Sequence, residues 1–215
     1  MPTIIALIRH GETEWNRTSR WQGHTDIPLS AAGILQARCL SSRFEAETTK
    51  FHALYSSDLR RAMQTAEVLG LVQGLRPNPV KELRELDVGK WSGLYDHEVA
   101  ARFPEEWRRV RADEDIPRGG GESMANLYTR AGSAFEAIAA RHQDEKVGIV
   151  THNGVIRALL VRIREMAIND CNDIGAIQNC SMTVVKHAAG KWEVERFNDT
   201  THLEGFTPPP DMLAL

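Results

Sequence analysis

Two stretches of this chain carry residues whose types and spacing could do chemistry. Arg9-His10-Gly11 follows the apolar run that begins at Ile4, and His152-Asn153-Gly154 follows Val147 to Thr151. Each run is short and β-branched, the pattern of a strand buried on both faces rather than of a helix. Ligands of open α/β sheets sit beyond the carboxyl ends of the strands, so both histidines are expected at one such edge. Gly11 is expected to let the backbone turn sharply and approach a ligand closely. The bland alternative is a surface turn that happens to carry Arg and His.

Joined across a fold, His10, His152, Arg9 and Arg61 would make a compact cationic site, with Glu85 as a candidate proton carrier. Phosphoryl transfer needs such parts. The migrating group spreads negative charge over its oxygens, fixed Arg and His donors stabilise that charge, and a neutral imidazole can be the nucleophile.

Composition narrows the partners. The 215 residues suit one large domain, or one domain with an inserted cap. A hydrophobic fraction of 42%, a charged fraction of 26% and a net charge of -3 describe a globular chain without a broad surface for nucleic acid or anionic membrane. Any anion site must be local. Cys39, Cys171 and Cys180 are odd in number and form no C-x-x-C pair, so buried free thiols are expected rather than a disulfide framework or structural zinc. The first residues lack the layout of a signal peptide, and no apolar run approaches the ~20 residues that span a bilayer. The expectation is a cytoplasmic protein that binds a small molecule, with a homodimer left open.

The elements that must position the site follow in order. Glu14 to Asp26 is polar, aromatic and glycine-containing and reads as an ordered loop. Ser30 is the expected N-cap of a helix whose face is Ala37, Leu40, Ser41 and Phe44. His52 to Ser56 reads as a strand, and Ser57 or Asp58 as the cap of a helix through Leu59, Ala62, Met63, Ala66 and Leu69. That phase puts Arg60 and Arg61 in the first turn, where the helix dipole disfavours cations; either they are exposed or an anion lies beside them.

Gly70 to Val80 reads as a connection ending in a short strand at Pro79 to Lys81, and Leu83 to Gly93 as a loop against a cleft. Two short helices are expected at Asp96 to Arg102 and Pro104 to Arg111. Gly119-Gly120-Gly121 is read as a flexible link, since neither a P-loop nor a dinucleotide fingerprint is met. Helices over Met124 to Arg141 and Val155 to Ile163, a hairpin of Ser181 to Lys186 with Lys191 to Phe197, and an extended tail from Thr207 complete the chain. The expected fold is α/β in three layers: a largely parallel central sheet flanked by helices, with the C-terminal hairpin at the sheet edge.

These residues resemble the histidine phosphatase superfamily, in the branch of cofactor-dependent phosphoglycerate mutases and their phosphatase relatives. The resemblance rests on Leu7 to Asn16 (L-I-R-H-G-E-T-E-W-N), Gln22-Gly23, Ser56 to Ala66, Leu83 to Gly93, Gly120 to Ser123 and Val150 to Gly154. It implies one domain over 1–215 with a substrate-covering excursion at about 94–120. By the resemblance His10 takes the phosphoryl group, Arg9, Arg61 and His152 clamp its oxygens, and Glu85 is the general acid. Asn16, Gln22, Gly23 and Asn153 are implied as substrate contacts, without metal or cofactor; Asn153 stands where many relatives carry glycine. Glu12 and Glu82 are the alternative proton donors, but neither holds the family position.

Rival classes fit less well. His10-Gly11-Glu12 matches the H-x-E fragment of zinc deaminases, yet P-C-x-x-C is missing. The other histidines, His24 among them, are scattered without ligand spacing for a metallohydrolase. A non-catalytic phosphate-binding module would keep the arginines without needing a paired His and Glu. Within the family, Trp107-Arg108-Arg109 resembles the pair with which mutases hold a substrate carboxylate, although a solvated helix face is the simpler reading. Arg20-x-Gln22-Gly23, and the lack of a longer insertion between Gly93 and Gly120, resemble the phosphatases.

Overall fold

A computed structural model describes residues 2–208. Its six strands are β1 (Thr3–Arg9), β2 (Ala53–Ser56), β3 (Asn78–Pro79), β4 (Lys146–Thr151), β5 (Met182–Ala188) and β6 (Lys191–Asp199). They form one sheet in the order β3-β2-β4-β1-β5-β6. The first four are mutually parallel; β5 pairs antiparallel with β1, and β6 with β5. The hairpin turn at Ala189-Gly190 has positive φ at both residues, which matches the twist of the strands it joins.

Side-chain alternation along β1 builds the layers. Ile5 and Leu7 enter one core with Val147 and Ile149 of β4, beneath α6 (Met124–Arg141) and α7 (Asn153–Ile163). Ala6 and Ile8 enter the other with Val150, beneath α2 (Ala31–Ala46) and α3 (Arg60–Gln73). A strand buried on both faces needs apolar residues at every position, so β1 and β4 read as runs. The result is the expected three-layer α/β fold.

Register then sets the site. Ile8 pairs with Val150 and Arg9 with Thr151, so the next residues, His10 and His152, leave adjacent strands at the same level. Ser56 also pairs with Val150, which brings Ser57 from the other side to the level of Thr151, one residue before His152.

Several local expectations are corrected. Glu14–Arg17 is a short helix (α1) and not loop, because Thr13 and Asn16 form a reciprocal capping box. The N-cap of α3 is Leu59; Asp58 is held by a bidentate ion pair with Arg84, and the cap is supplied from afar by Asp26 Oδ1, which accepts from Arg60 N at 2.6 Å. The edge strand β3 lies at Asn78–Pro79, one residue ahead of the expected position. Gly11 keeps an ordinary φ, and what crowds it is the chain itself: a Cβ there would lie 2.5 Å from the Gly33 carbonyl oxygen of α2.

Gly119-Gly120-Gly121 is not a flexible link. Its backbone crosses that of Asp87 to Gly89 so closely that a Cβ on Gly89 would lie 2.3 Å from the Gly119 oxygen, and one on Gly121 2.3 Å from the Asp87 oxygen. Between these segments lie α4 (Asp96–Arg102) and α5 (Pro104–Arg111), as expected, tied to the body by Trp107 packed on buried Trp91 and by Trp21 on the same ring. Cys171 and Cys180 are buried free thiols, whereas Cys39 is only partly buried because it stands at the edge of the α2 core face. The tail expected to be extended begins at Thr207, and all of it beyond residue 208 lies outside the described residues.

Candidate active site

The two histidines face each other edge-on with ring centroids 5.1 Å apart, both almost wholly buried. His10 Nδ1 lies 2.7 Å from the Gly11 carbonyl oxygen. A carbonyl can only accept, so Nδ1 carries the proton and Nε2 keeps a free lone pair. Burial drives the His10 pKa well below 6.5, and the charges of Arg61 and Arg9 push it further down, against the Gly11 hydrogen bond. His10 is therefore neutral at physiological pH, with a lone pair available for attack.

His152 is also held well below its ordinary pKa, by burial first and then by Arg61. Its Nε2 is 2.8 Å from Ser57 Oγ, and its Nδ1 is buried without a partner. If the serine hydroxyl donates, the unpartnered Nδ1 carries the ring's one proton. Ser57, expected as a helix cap, is thereby a support for His152.

The arginines are held by carbonyls. Arg61, fully buried in the first turn of α3, donates to Thr25 O at 2.9 Å and Gly23 O at 2.8 Å, and Arg9 donates to Ile177 O. Desolvation brings each guanidinium down to about 10, with Glu85 pulling the other way, so both stay charged at neutral pH. Their Nε atoms are buried and unpartnered. Such desolvated cations, at a strand end and a helix N-terminus, make a strong local preference for an anion. Arg60 is exposed and takes no part.

Glu85 lies on the other element of the site, the segment after Leu83. Its carboxylate accepts from Leu86 N at 2.8 Å and from Gly154 N at 3.1 and 3.2 Å. The segment is fixed from below by Thr151 Oγ1, which donates to Leu83 O at 2.8 Å, and from outside by Arg130, which donates to Glu82 O, Arg84 O and Glu85 O. His24 Nε2 lies 2.8 Å from Glu85 O, so this histidine belongs to the site's scaffold and not to the scattered set. Glu12 accepts from Ser30 Oγ at the α2 terminus and Glu82 is exposed; neither lines the cavity.

A cavity of about 270 Å³ opens over these groups, lined by Arg9, His10, Arg61 and Glu85 together with Asn16, Gln22, Gly23 and Asn153. Asn16 Oδ1 accepts from Thr13 N, Thr13 Oγ1 and Asn179 Nδ2, which leaves its amide NH2 to donate. Gly23, with φ +51°, turns its carbonyl onto Arg61, and Asn153 Oδ1 accepts from Ile177 N. His152 backs this wall without lining it, and Ser123 is the capping-box residue of α6.

Arg118 and Arg157, which were not singled out from sequence, also reach the cavity, as do Arg20 and Cys171. Asn179 donates to the carbonyls of His10 and Gly11, because antiparallel β5 begins where β1 ends. Arg108 and Arg109 do not reach it. Arg108 is exposed and Arg109 half-exposed, and they are paired with Glu105 and Glu114 on their own excursion. Among the described residues no three His, Cys, Asp or Glu side chains are grouped as metal ligands, and no helix is long and apolar enough to cross a membrane.

The chain is 38% identical over 205 residues to phosphoglycerate mutase-like protein 4 of Arabidopsis thaliana, covering 93% of this chain and 86% of that one. It is 37% identical over 206 residues to the metal-independent phosphoserine phosphatase of the same plant, covering 94% and 83%. Among solved structures it superposes on the phosphoserine phosphatase of Entamoeba histolytica with a TM-score of 0.83 at 26% identity, covering 94% and 99%. The description of the histidine phosphatase superfamily, branch 1, matches residues 5–200, and the chain belongs to that family.

Proposed function

We propose that the protein is a metal-independent phosphomonoester phosphatase that works on small phosphorylated metabolites through a phosphohistidine. The observation that carries this reading is His10: neutral, its Nδ1 proton tied to a carbonyl, its Nε2 free, under the charges of Arg9 and the buried Arg61. Nε2 attacks phosphorus as the ester P–O bond breaks, and the Glu85 carboxyl gives its proton to the leaving oxygen. Arg9, Arg61 and Asn16 carry the charge on the remaining phosphoryl oxygens, with the unpartnered Nδ1 of His152, in the wall behind them, as the further donor. Water then attacks the phosphohistidine while Glu85 takes its proton, which releases phosphate and restores His10.

Gln22, Gly23 and Asn153 line the substrate side. The chain acts as one domain whose excursion at 94–120 covers the substrate. Phosphatases among the relatives support hydrolysis, and the outward-facing Arg108 and Arg109 give no support to a mutase. The test is His10→Ala, assayed with p-nitrophenyl phosphate in the presence of a chelator. Turnover should vanish, and the unaltered protein should yield an acid-labile phosphoenzyme at undiminished rate in chelator; a variant as fast as the parent would refute the nucleophile.

A further inference from the structure

We infer that His24 is a positioning residue that yokes the proton donor to the phosphoryl clamp, so that Glu85 and Arg61 are held in step by one three-residue turn. This rests on the phosphatase reading above and adds a residue to its machinery. His24 is the middle of Gly23-His24-Thr25, a turn closed by Thr25 N donating to Gln22 O at 3.1 Å. Its two neighbours supply the carbonyls to which Arg61 donates, Gly23 O at 2.8 Å and Thr25 O at 2.9 Å. Its own ring reaches a different segment, with Nε2 2.8 Å from Glu85 O.

The chemistry of that contact fixes its sense. A carbonyl can only accept, so Nε2 carries the proton, in the neutral ring and in the imidazolium alike. The bond is a fixture and not a switch. Among the described residues it is the one hydrogen bond between the turn and the segment that carries Glu85. The other ties of this loop run to Ser92, through Gln22 O and Thr25 Oγ1, and to Arg60 N of α3, through Asp26.

Glu85 needs such a tie because residues 84–86 belong to no helix or strand, so no backbone ladder sets their place. Side chains do it instead. Arg130 of α6 donates to Glu82 O at 2.7 Å, to Arg84 O at 3.0 Å and to Glu85 O at 3.2 Å, braced by the Glu122 carboxylate at 2.8 and 2.6 Å. Glu85 O therefore has two donors, one for each lone pair. Arg130 fixes the segment to α6, whereas His24 fixes it to the turn that holds Arg61. The second tie sets the spacing between acid and cation, which must meet the same ester; a misplacement of about 1 Å costs on the order of 10²-fold in rate.

The experiment reads two quantities in each variant. One is the ratio of kcat/KM for phenyl phosphate to that for p-nitrophenyl phosphate, which reports the acid because phenolate is the poorer leaving group. The other is the inhibition constant of inorganic phosphate, which reports the clamp. Both are insensitive to any loss of folded protein. His24→Leu should lower the ratio about 10-fold and weaken phosphate about 3- to 10-fold, and His24→Gln, whose Nε2 can reach the same carbonyl, should restore both. Arg130→Gln should lower the ratio alone. With the parent protein active, parental values in His24→Leu, a shift in either quantity alone, or no rescue by glutamine would each overturn the yoke and leave the phosphatase standing. If the parent protein hydrolyses neither ester, the phosphatase reading itself falls, and the yoke with it.

Discussion

Gly154→Ala should separate stability from catalysis. A Cβ on Gly154 would lie 2.3 Å from Glu85 Oε1 and 3.3 Å from Leu127 Cδ2. Gly154 has no positive φ and is the second residue of α7, so alanine suits its backbone and gains up to about 0.5–1 kcal/mol of helix propensity. What must give is the end of a flexible side chain, which costs little in folding. To reach ordinary contact the carboxylate has to withdraw by roughly 1 Å, and a displacement of that size costs on the order of 10²-fold in rate. We expect an unchanged or slightly raised Tm, a fall of about 10²-fold in kcat for an alkyl phosphate, and a much smaller fall for p-nitrophenyl phosphate, whose leaving group needs no acid. Equal losses on both esters, or none on the alkyl ester, would refute the placement of Glu85 as acid and of Gly154 as the residue that makes room for it.

Three further outcomes follow from the same geometry. Glu85→Gln keeps the shape but removes the transferable proton, and should cost an alkyl ester about 10²- to 10⁴-fold in kcat while sparing nitrophenolate release; steady-state kinetics on both esters decide it. Ser57→Ala leaves His152 Nε2 without its partner in a buried site and should lower kcat by about 10- to 100-fold, with most of it regained in Ser57→Thr, whose hydroxyl can take the same place; failure of the threonine rescue would remove the anchoring role. For pH, both histidines have native pKa values below 6.5, so as pH falls through 6.5 the unfolded chain binds protons that the native one refuses. Stability is then lost toward acid with a limiting slope of about 1.4 kcal/mol per pH unit for each histidine. Urea midpoints at pH 7.5 and 5.5 should therefore lie closer together in His10→Asn than in the parent protein.

The strand-end histidines were legible because burial on both faces demands a continuous apolar run, and such a run followed by a histidine with a glycine one or two residues on occurs twice. The arginine in the first turn of α3 was legible as an electrostatic conflict, and the structure resolves it with the carbonyls of Gly23 and Thr25. Other parts depend on register, which no local pattern carries. Ser57 has the sequence of a helix cap and becomes a histidine partner only because β2 ends beside the last residues of β4. Arg118 reads as one more charge before a glycine run. Its place in the cavity follows from a backbone crossing between residues thirty apart in sequence, which periodicity cannot register. The capping box at Thr13 and Asn16 was readable in principle, but four residues are too few to show a helical period.

That crossing has a consequence for how such enzymes can be altered. Gly89 and Gly119 meet backbone to backbone, so residues 90–118 leave and rejoin the body at one point, like a drawn purse. The ordering entropy of the joint belongs to the glycines, and the closure entropy of the loop rises only by about 0.6 kcal/mol for each doubling of its length. Excursions of different length and sequence can thus be exchanged above that knot while Glu85 stays in place below it. An engineer seeking new substrates would graft within α4 and α5 and leave Trp91 and the glycines alone; alanine at Gly119 would loosen every graft alike.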